Sequence, residues 1–244
     1  MLTKRIIPIL LLKNGRMVKG VNFNNYRDTG NPITAVKVYN SQKVDELIFL
    51  DIDQKDKKIF LNTVLKATEP FFMPFTAGGG IRSLQDIRDA LNVGADKISI
   101  NTVAVENPQF IKQAAEKYGR QCIVVSVDYK GNKIYTHCGK MEHDINPLEH
   151  IKRCVELGAG EILLTNIDLE GTMSGYDLEF CKLVSESVNV PVIINGGAAT
   201  YNDFMQAFEN KADAVAASSM FHFTDQTPIR TKYHLLNAGV NVRT

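Results

Sequence analysis

An apolar run, Ile123-Val124-Val125-Ser126-Val127, ends on Asp128. A carboxylate at such an end, half out of water, is placed to act as a general acid or base, or simply to orient the loop that follows. Further acids close other runs: Asp51 and Asp53, then Asp168 and Glu170. The glycines Gly79-Gly80, followed along the chain by Asn101 and Thr102, have counterparts in Gly196-Gly197, Ser218 and Ser219. Glycine lets backbone N–H groups close on a ligand, and hydroxyls beside a helix start favour an anion. Each set therefore reads as a phosphate site, although tight turns would also require the glycines. A third set, Arg5, Glu46, Lys97 and Glu161, places alternating charges at or just before apolar runs. These charges can form a stabilising ring of ion pairs or a gate around a narrow opening. His137, Cys138, Glu142 and His143 crowd into 136–143, but their spacing fits no common zinc pattern. Gly131-Asn132 ahead of them reads as a hairpin turn, which leaves the histidines solvated and predicts no metal.

The elements that must position these groups are legible. Eight short segments rich in β-branched residues and leucine cover 5–12, 46–52, 73–79, 96–101, 122–128, 161–167, 190–196 and 213–218. Amphipathic spacing predicts helices over 32–42, 83–94, 107–119, 146–158, 176–188 and 201–210. Asn31-Pro32, Asn107-Pro108 and Asn146-Pro147 supply an N-cap followed by proline at the first helical position, and Gly94, Gly119 and Gly158 sit where helices end. Continuous apolar strands alternating with helices imply a parallel sheet covered on both faces. Eight such units predict a closed (β/α)8 TIM barrel in a single domain, with a doubly wound open sheet as the alternative.

An internal repeat supports the barrel. Gly79-Gly80 recurs as Gly196-Gly197, Ala95-Asp96 as Ala212-Asp213 and Lys13 as Lys130, all offset by 117. Glu46 and Glu161, like Asp53 and Asp168, are offset by 115. Two half-barrels, about 1–119 and 120–244, account for the chain. Function in a barrel sits at the C-terminal strand ends, so Asp128 and both glycine sets share one mouth, and the charged quartet lies at the opposite end. The 117 offset carries Asp128 onto Leu11, so no symmetric pair of carboxylates exists.

Composition narrows the partners. The 244 residues carry 28 basic and 27 acidic side chains, for a formal charge of +1. That balance offers no basic stripe for nucleic acid and no polybasic segment for a membrane surface, so phosphate handling must be local. Four cysteines without a C-x-x-C pair fit a cytoplasmic setting. The opening apolar run is interrupted by Pro8 and is too short to span a bilayer, so it reads as a buried strand.

The strings KRIIP, GRMVKGVNF, DELIFLDI, GGGIRS, ADKISIN, CIVVSVD, GAGEILLT, DLEGTMSGYDLE and FHF resemble the cyclase subunit of imidazole glycerol phosphate synthase over essentially the whole chain. The resemblance implies a duplicated barrel paired with a glutaminase. Ammonia from the glutaminase crosses the barrel base and attacks a bisphosphorylated ribulosyl intermediate at the mouth, and no cofactor is implied. By position, Arg5, Glu46, Lys97 and Glu161 match the family's gate, and Asp96 its glutaminase-facing surface. Gly80, Asn101 and Thr102 match one phosphate site; Gly171, Gly197 and Ser219 match the other. Lys19 matches the lysine of the first loop, and Asp128 and Thr165 match mouth residues.

The departures gather at the chemistry. The family's essential first-strand aspartate is Leu11, its serine before the second glycines is Asn195, and its aspartate before Gly171 is Glu170. The loop after the second strand reads DQKDKK. An intact gate beside a missing acid implies a diverged paralogue that still conducts ammonia. Such paralogues occur in surface-polysaccharide clusters, which adds a third, amidotransferase protein over the mouth as a partner. A working cyclase using Asp51 or Asp53 as substitute acid, and a non-catalytic scaffold binding a phosphorylated sugar, are the competing expectations.

Overall fold

The computed structural model describes residues 3–53 and 56–243. Gln54 and Lys55 of the charged DQKDKK stretch lie outside the described residues. The strands run β1 (Arg5–Lys13), β2 (Arg16–Val21), β3 (Asn24–Gly30), β4 (Leu47–Asp51), β5 (Phe75–Gly78), β6 (Lys97–Ile100), β7 (Ile123–Lys130), β8 (Lys133–Thr136), β9 (Met141–His143), β10 (Glu161–Asn166), β11 (Val192–Asn195) and β12 (Ala214–Ala217). The helices are α1 (Pro32–Ser41), α2 (Lys57–Thr68), α3 (Leu84–Asn92), α4 (Thr102–Glu106), α5 (Gln109–Tyr118), α6 (Pro147–Glu156), α7 (Leu178–Ser187), α8 (Tyr201–Glu209), α9 (Ser219–Phe223) and α10 (Pro228–Asn237).

Eight strands pair in parallel in the order β10-β11-β12-β1-β4-β5-β6-β7, and β7 pairs back onto β10, so the sheet closes. All eight apolar segments predicted from the sequence are the barrel strands, and the open-sheet alternative falls. Along β1 the side chains alternate: Ile7, Ile9 and Leu11 join the cluster that fills the barrel, whereas Ile6, Leu10 and Leu12 join the layer under the helices. Every one of them is buried, so the run is apolar throughout rather than alternating with polar residues.

The Asn-Pro caps hold in two of three places. Asn31 accepts from the Ile33 N–H and Asn146 from the Glu149 N–H, each with proline behind it. The third expectation is corrected: α5 starts at Gln109, Pro108 is itself helical, and Asn107 ends α4. That dipeptide joins two helices, and the Asn107 carbonyl, not its side chain, receives the Phe110 N–H at 2.9 Å. Gly94, Gly119 and Gly158 have φ of 95°, 86° and 110°, the left-handed turn that ends a helix.

Other elements were not anticipated from the sequence. Helix α2 grows out of the charged stretch, capped by Asp56, and its buried stripe is Phe60, Val64 and Ala67. Hairpin strands β2 and β3, which follow β1, were likewise unread, whereas β8 and β9, which follow β7, form the hairpin expected at Gly131-Asn132; both β1–β2 and β7–β8 pairings are antiparallel. Strands β5 and β6 and helices α3 and α4 stand 117 positions before β11, β12, α8 and α9. Their internal bonds match too. Asp96 accepts from the Phe75 N–H at 2.9 Å and Asp213 from the Val192 N–H at 3.0 Å. Ser83 with Asp86 and Thr200 with Asp203 form equivalent capping boxes.

Candidate functional site

The barrel brings the predicted groups to its two ends. At the base, Arg5 reaches Glu46 at 2.8 Å and Glu161 at 3.2 Å, and Lys97 reaches the same two carboxylates at 2.9 and 3.1 Å. The quartet is thus a closed ring of alternating charge. Thr76 donates to the remaining Glu46 oxygen at 2.7 Å. Burial alone would push the Glu46 carboxyl up, but Lys97 and Arg5 outweigh it and hold it below its ordinary value. Above the ring the axis is filled by Ile7, Ile48, Val124, Leu163 and Ile193, all essentially inaccessible to water. Asp96 stands beside the base, tied to the start of β5 by its bond to Phe75.

At the mouth a cavity of about 110 Å³ opens between the strand ends. Asp128 stands in its wall, where Asn101 Nδ2 donates to it at 2.7 Å and Ser126 Oγ lies at 3.4 Å. Desolvation is the largest influence on its carboxyl; the hydrogen bonds oppose it, Glu170 adds to it, and the result is a pKa raised to about 7. Near neutrality Asp128 therefore exchanges a proton readily, as an acid–base group must. Thr165 lies beside it in register on β10 and accepts from Asn195 Nδ2 at 3.1 Å.

Leu11 lines the same cavity and is 9% exposed. It pairs with Leu50 on β4, and the next pair along is Leu12 with Asp51. Asp51 is buried and borders both the main cavity and a separate recess, which Asp53, Asn14 and Asp56 also line. Lys19, fully buried on β2, forms an ion pair with Glu170. The first loop's lysine is thus held inward over the mouth.

The two glycine sets line neighbouring spaces. Gly79, Gly80, Asn101 and Thr102 belong to the main cavity, and the Asn101 Oδ1 is buried without a hydrogen-bond partner. Gly171, Gly197 and Ser219 line a smaller recess of about 10 Å³, where the Ser219 hydroxyl is likewise unpartnered. Glu170, Asn195 and Ser218 border both. Close backbone approach requires glycine at Gly79: φ is +93°, and a Cβ would stand 2.2 Å from the Asp51 carbonyl oxygen. Gly79→Ala is expected to lose about 2–4 kcal/mol, read as a lowered midpoint in urea denaturation.

The histidine-rich segment forms the expected hairpin, with one correction. His137 and His143 are half-buried rather than solvated, because Thr136 Oγ1 engages both rings, at 3.0 and 2.8 Å. The sequence reading did not single out Phe23 or Tyr26, and did not place Cys138 at the mouth, which all three line. Their only sequence signal was membership of the two hairpins.

A closed (β/α)8 barrel with a ring of paired charges at its base and a glycine-edged mouth around a buried carboxylate defines the class of (β/α)8 barrel proteins with their site at the strand ends. Comparison with known proteins narrows the class. Residues 5–227 match the family model described as histidine biosynthesis protein. The chain is 43% identical, over all of both chains, to imidazole glycerol phosphate synthase subunit HisF of Alkaliphilus metalliredigens. It is 44% identical, again over all of both, to the subunit of the same name from Clostridium botulinum. The chain belongs to the histidine biosynthesis protein family, as a HisF-like barrel. No helix among the described residues is long and apolar enough to cross a membrane.

Proposed function

We propose that this chain is a barrel subunit that takes ammonia from a glutaminase partner at its base and delivers it at the mouth. The receiver is a phosphorylated ligand held there or a third, amidotransferase protein seated over it. The observation that carries the reading is the coexistence of the closed Arg5–Glu46–Lys97–Glu161 ring with a mouth whose first-strand residue is Leu11. A ring of four mutually paired charges admits nothing until a side chain swings aside. The apolar axis beyond it favours neutral ammonia over ammonium, because an unpaired charge there would lose its hydration. Asp96, beside the ring, lies on the face offered to the glutaminase. At the mouth, Gly80, Asn101 and Thr102 would hold one phosphate, and Gly171, Gly197, Ser218 and Ser219 a second, with Lys19 and Thr165 beside the ligand. The division into half-barrels 1–119 and 120–244 is supported by the matching offsets and bonds, and a cytoplasmic setting by four cysteines that form no disulfide among the described residues.

The test is Lys97→Ala, assayed with glutamine and, separately, with ammonium salts. Loss of Lys97 leaves Glu46 and Glu161 sharing one cation. Glutamine-driven transfer is expected to fall while transfer from free ammonium persists, which also shows that the barrel folds. Unchanged glutamine-driven transfer overturns the conduit. A second reading, a working cyclase, is favoured by one feature: Asp51 stands in the cavity wall one register step from Leu11.

A further inference from the structure

The cavity wall contains polar groups that none of the roles above uses, and Tyr26 is the one whose placement carries an inference. Tyr26 lies on β3, in the hairpin that follows β1, and lines the main cavity with Asp128, Asn101 and Leu11. Its ring passes beside Gly20, where a Cβ would sit 3.1 Å from Cδ1, and packs against the inner apolar cluster that includes Leu11 and Val18. Among the described residues its hydroxyl makes no hydrogen bond. In the lining of the same cavity the Asn101 Oδ1 is a buried acceptor, also without a partner. The wall therefore offers an unused donor and an unused acceptor, with the Asp128 carboxyl beside the acceptor. A polyhydroxylated ligand satisfies such a set, and an inorganic anion in the glycine cradle does not.

We infer that Tyr26 is a specificity-determining residue of the mouth, its hydroxyl donating to an oxygen of a bound sugar phosphate while its ring covers the sugar's carbon skeleton. This rests on the reading of the mouth as a phosphorylated-ligand site. Burial, and then the nearby Cys138, Glu170 and Asp128, hold the phenol above its ordinary pKa. It therefore stays protonated at neutral pH and acts as a donor rather than a base. The inference also gives Leu11 a positive role. An aliphatic residue there continues the apolar seat on which the ring rests, whereas a carboxylate would be desolvated in that cluster.

The experiment is calorimetric titration of the full-length chain with D-ribulose 5-phosphate and with inorganic phosphate, in the wild type, Tyr26→Phe and Tyr26→Leu. Removing one neutral hydrogen bond is expected to weaken sugar-phosphate binding about 3–10-fold in Tyr26→Phe, with phosphate binding changed by less than about 2-fold. Tyr26→Leu, which also removes the ring, is expected to weaken the sugar phosphate further and again spare inorganic phosphate. Equal affinities in wild type and Tyr26→Phe, or parallel weakening of both ligands, overturn the role of Tyr26 and leave the phosphate site standing. If neither probe binds the wild type, the phosphorylated-ligand reading itself fails, and the inference with it.

Discussion

Supplied with the bisphosphorylated ribulosyl intermediate and ammonium salts, the purified chain is expected to turn over about 10²–10⁴-fold more slowly than its HisF relatives. The reason is local. Where the family resemblance places a proton-transferring aspartate, β1 presents Leu11, a side chain that can neither take nor give a proton. Ammonium salts bypass the glutaminase and the base ring, so the deficit isolates the mouth. Asp51 decides the competing outcome. It is buried in the same wall, but on β4, and pairs in register with Leu12 rather than with Leu11. Turnover near that of the relatives, lost again in Asp51→Asn, would show that the acid has moved strand and would overturn the reading of Leu11.

Asp128→Asn is expected to remove any remaining proton transfer at the mouth, a further loss of about 10²–10⁴-fold. Its effect on stability has a definite sign. The native carboxyl, raised to about 7, holds a proton through a range in which the unfolded carboxyl, at 3.8, has released it. Asp128 thus contributes stability that is fully present below about pH 4 and is lost as pH rises through 7. An asparagine keeps the shape without the charge. The variant should therefore gain on the wild type as pH is raised from 5 to 8, by on the order of a few kcal/mol. Denaturation at the two pH values measures the difference. A constant difference would mean that Asp128 is solvated and ordinary, and would remove its claim to acid–base work.

The two predictions treat one wall of the mouth in opposite ways. Leu11 contributes packing rather than a polar group: it belongs to the inner cluster with Ile9 and Val18. Asp128 has kept its carboxyl in a desolvated place, held there by Asn101 and Ser126. A family member with both acids must stabilise two desolvated carboxylates in one small cavity. This chain stabilises Asp128 there, while Glu170 is offset by the buried Lys19.

The sequence by itself determined the barrel and the ends of its axis. Strand and helix periodicity, Asn-Pro starts, terminal glycines and a 117-residue offset are local or repeated signals, and each survives without knowledge of what packs where. They placed Asp128 and both glycine sets at strand ends and Arg5, Glu46, Lys97 and Glu161 at strand starts. A barrel has only two ends, so the assignment followed. The tertiary structure alone decided which of these groups meet. Lys19 finds Glu170 across 151 positions of chain, Asp51 borders both the mouth and a side recess while Asp53 lines the recess alone, and Tyr26 is carried over the cavity by a hairpin with an irregular register between Lys19 and Val21. Such contacts depend on how hairpins fold back over a closed sheet. A one-residue slip in that pairing would turn Tyr26 outward, and no periodicity in the chain reports it.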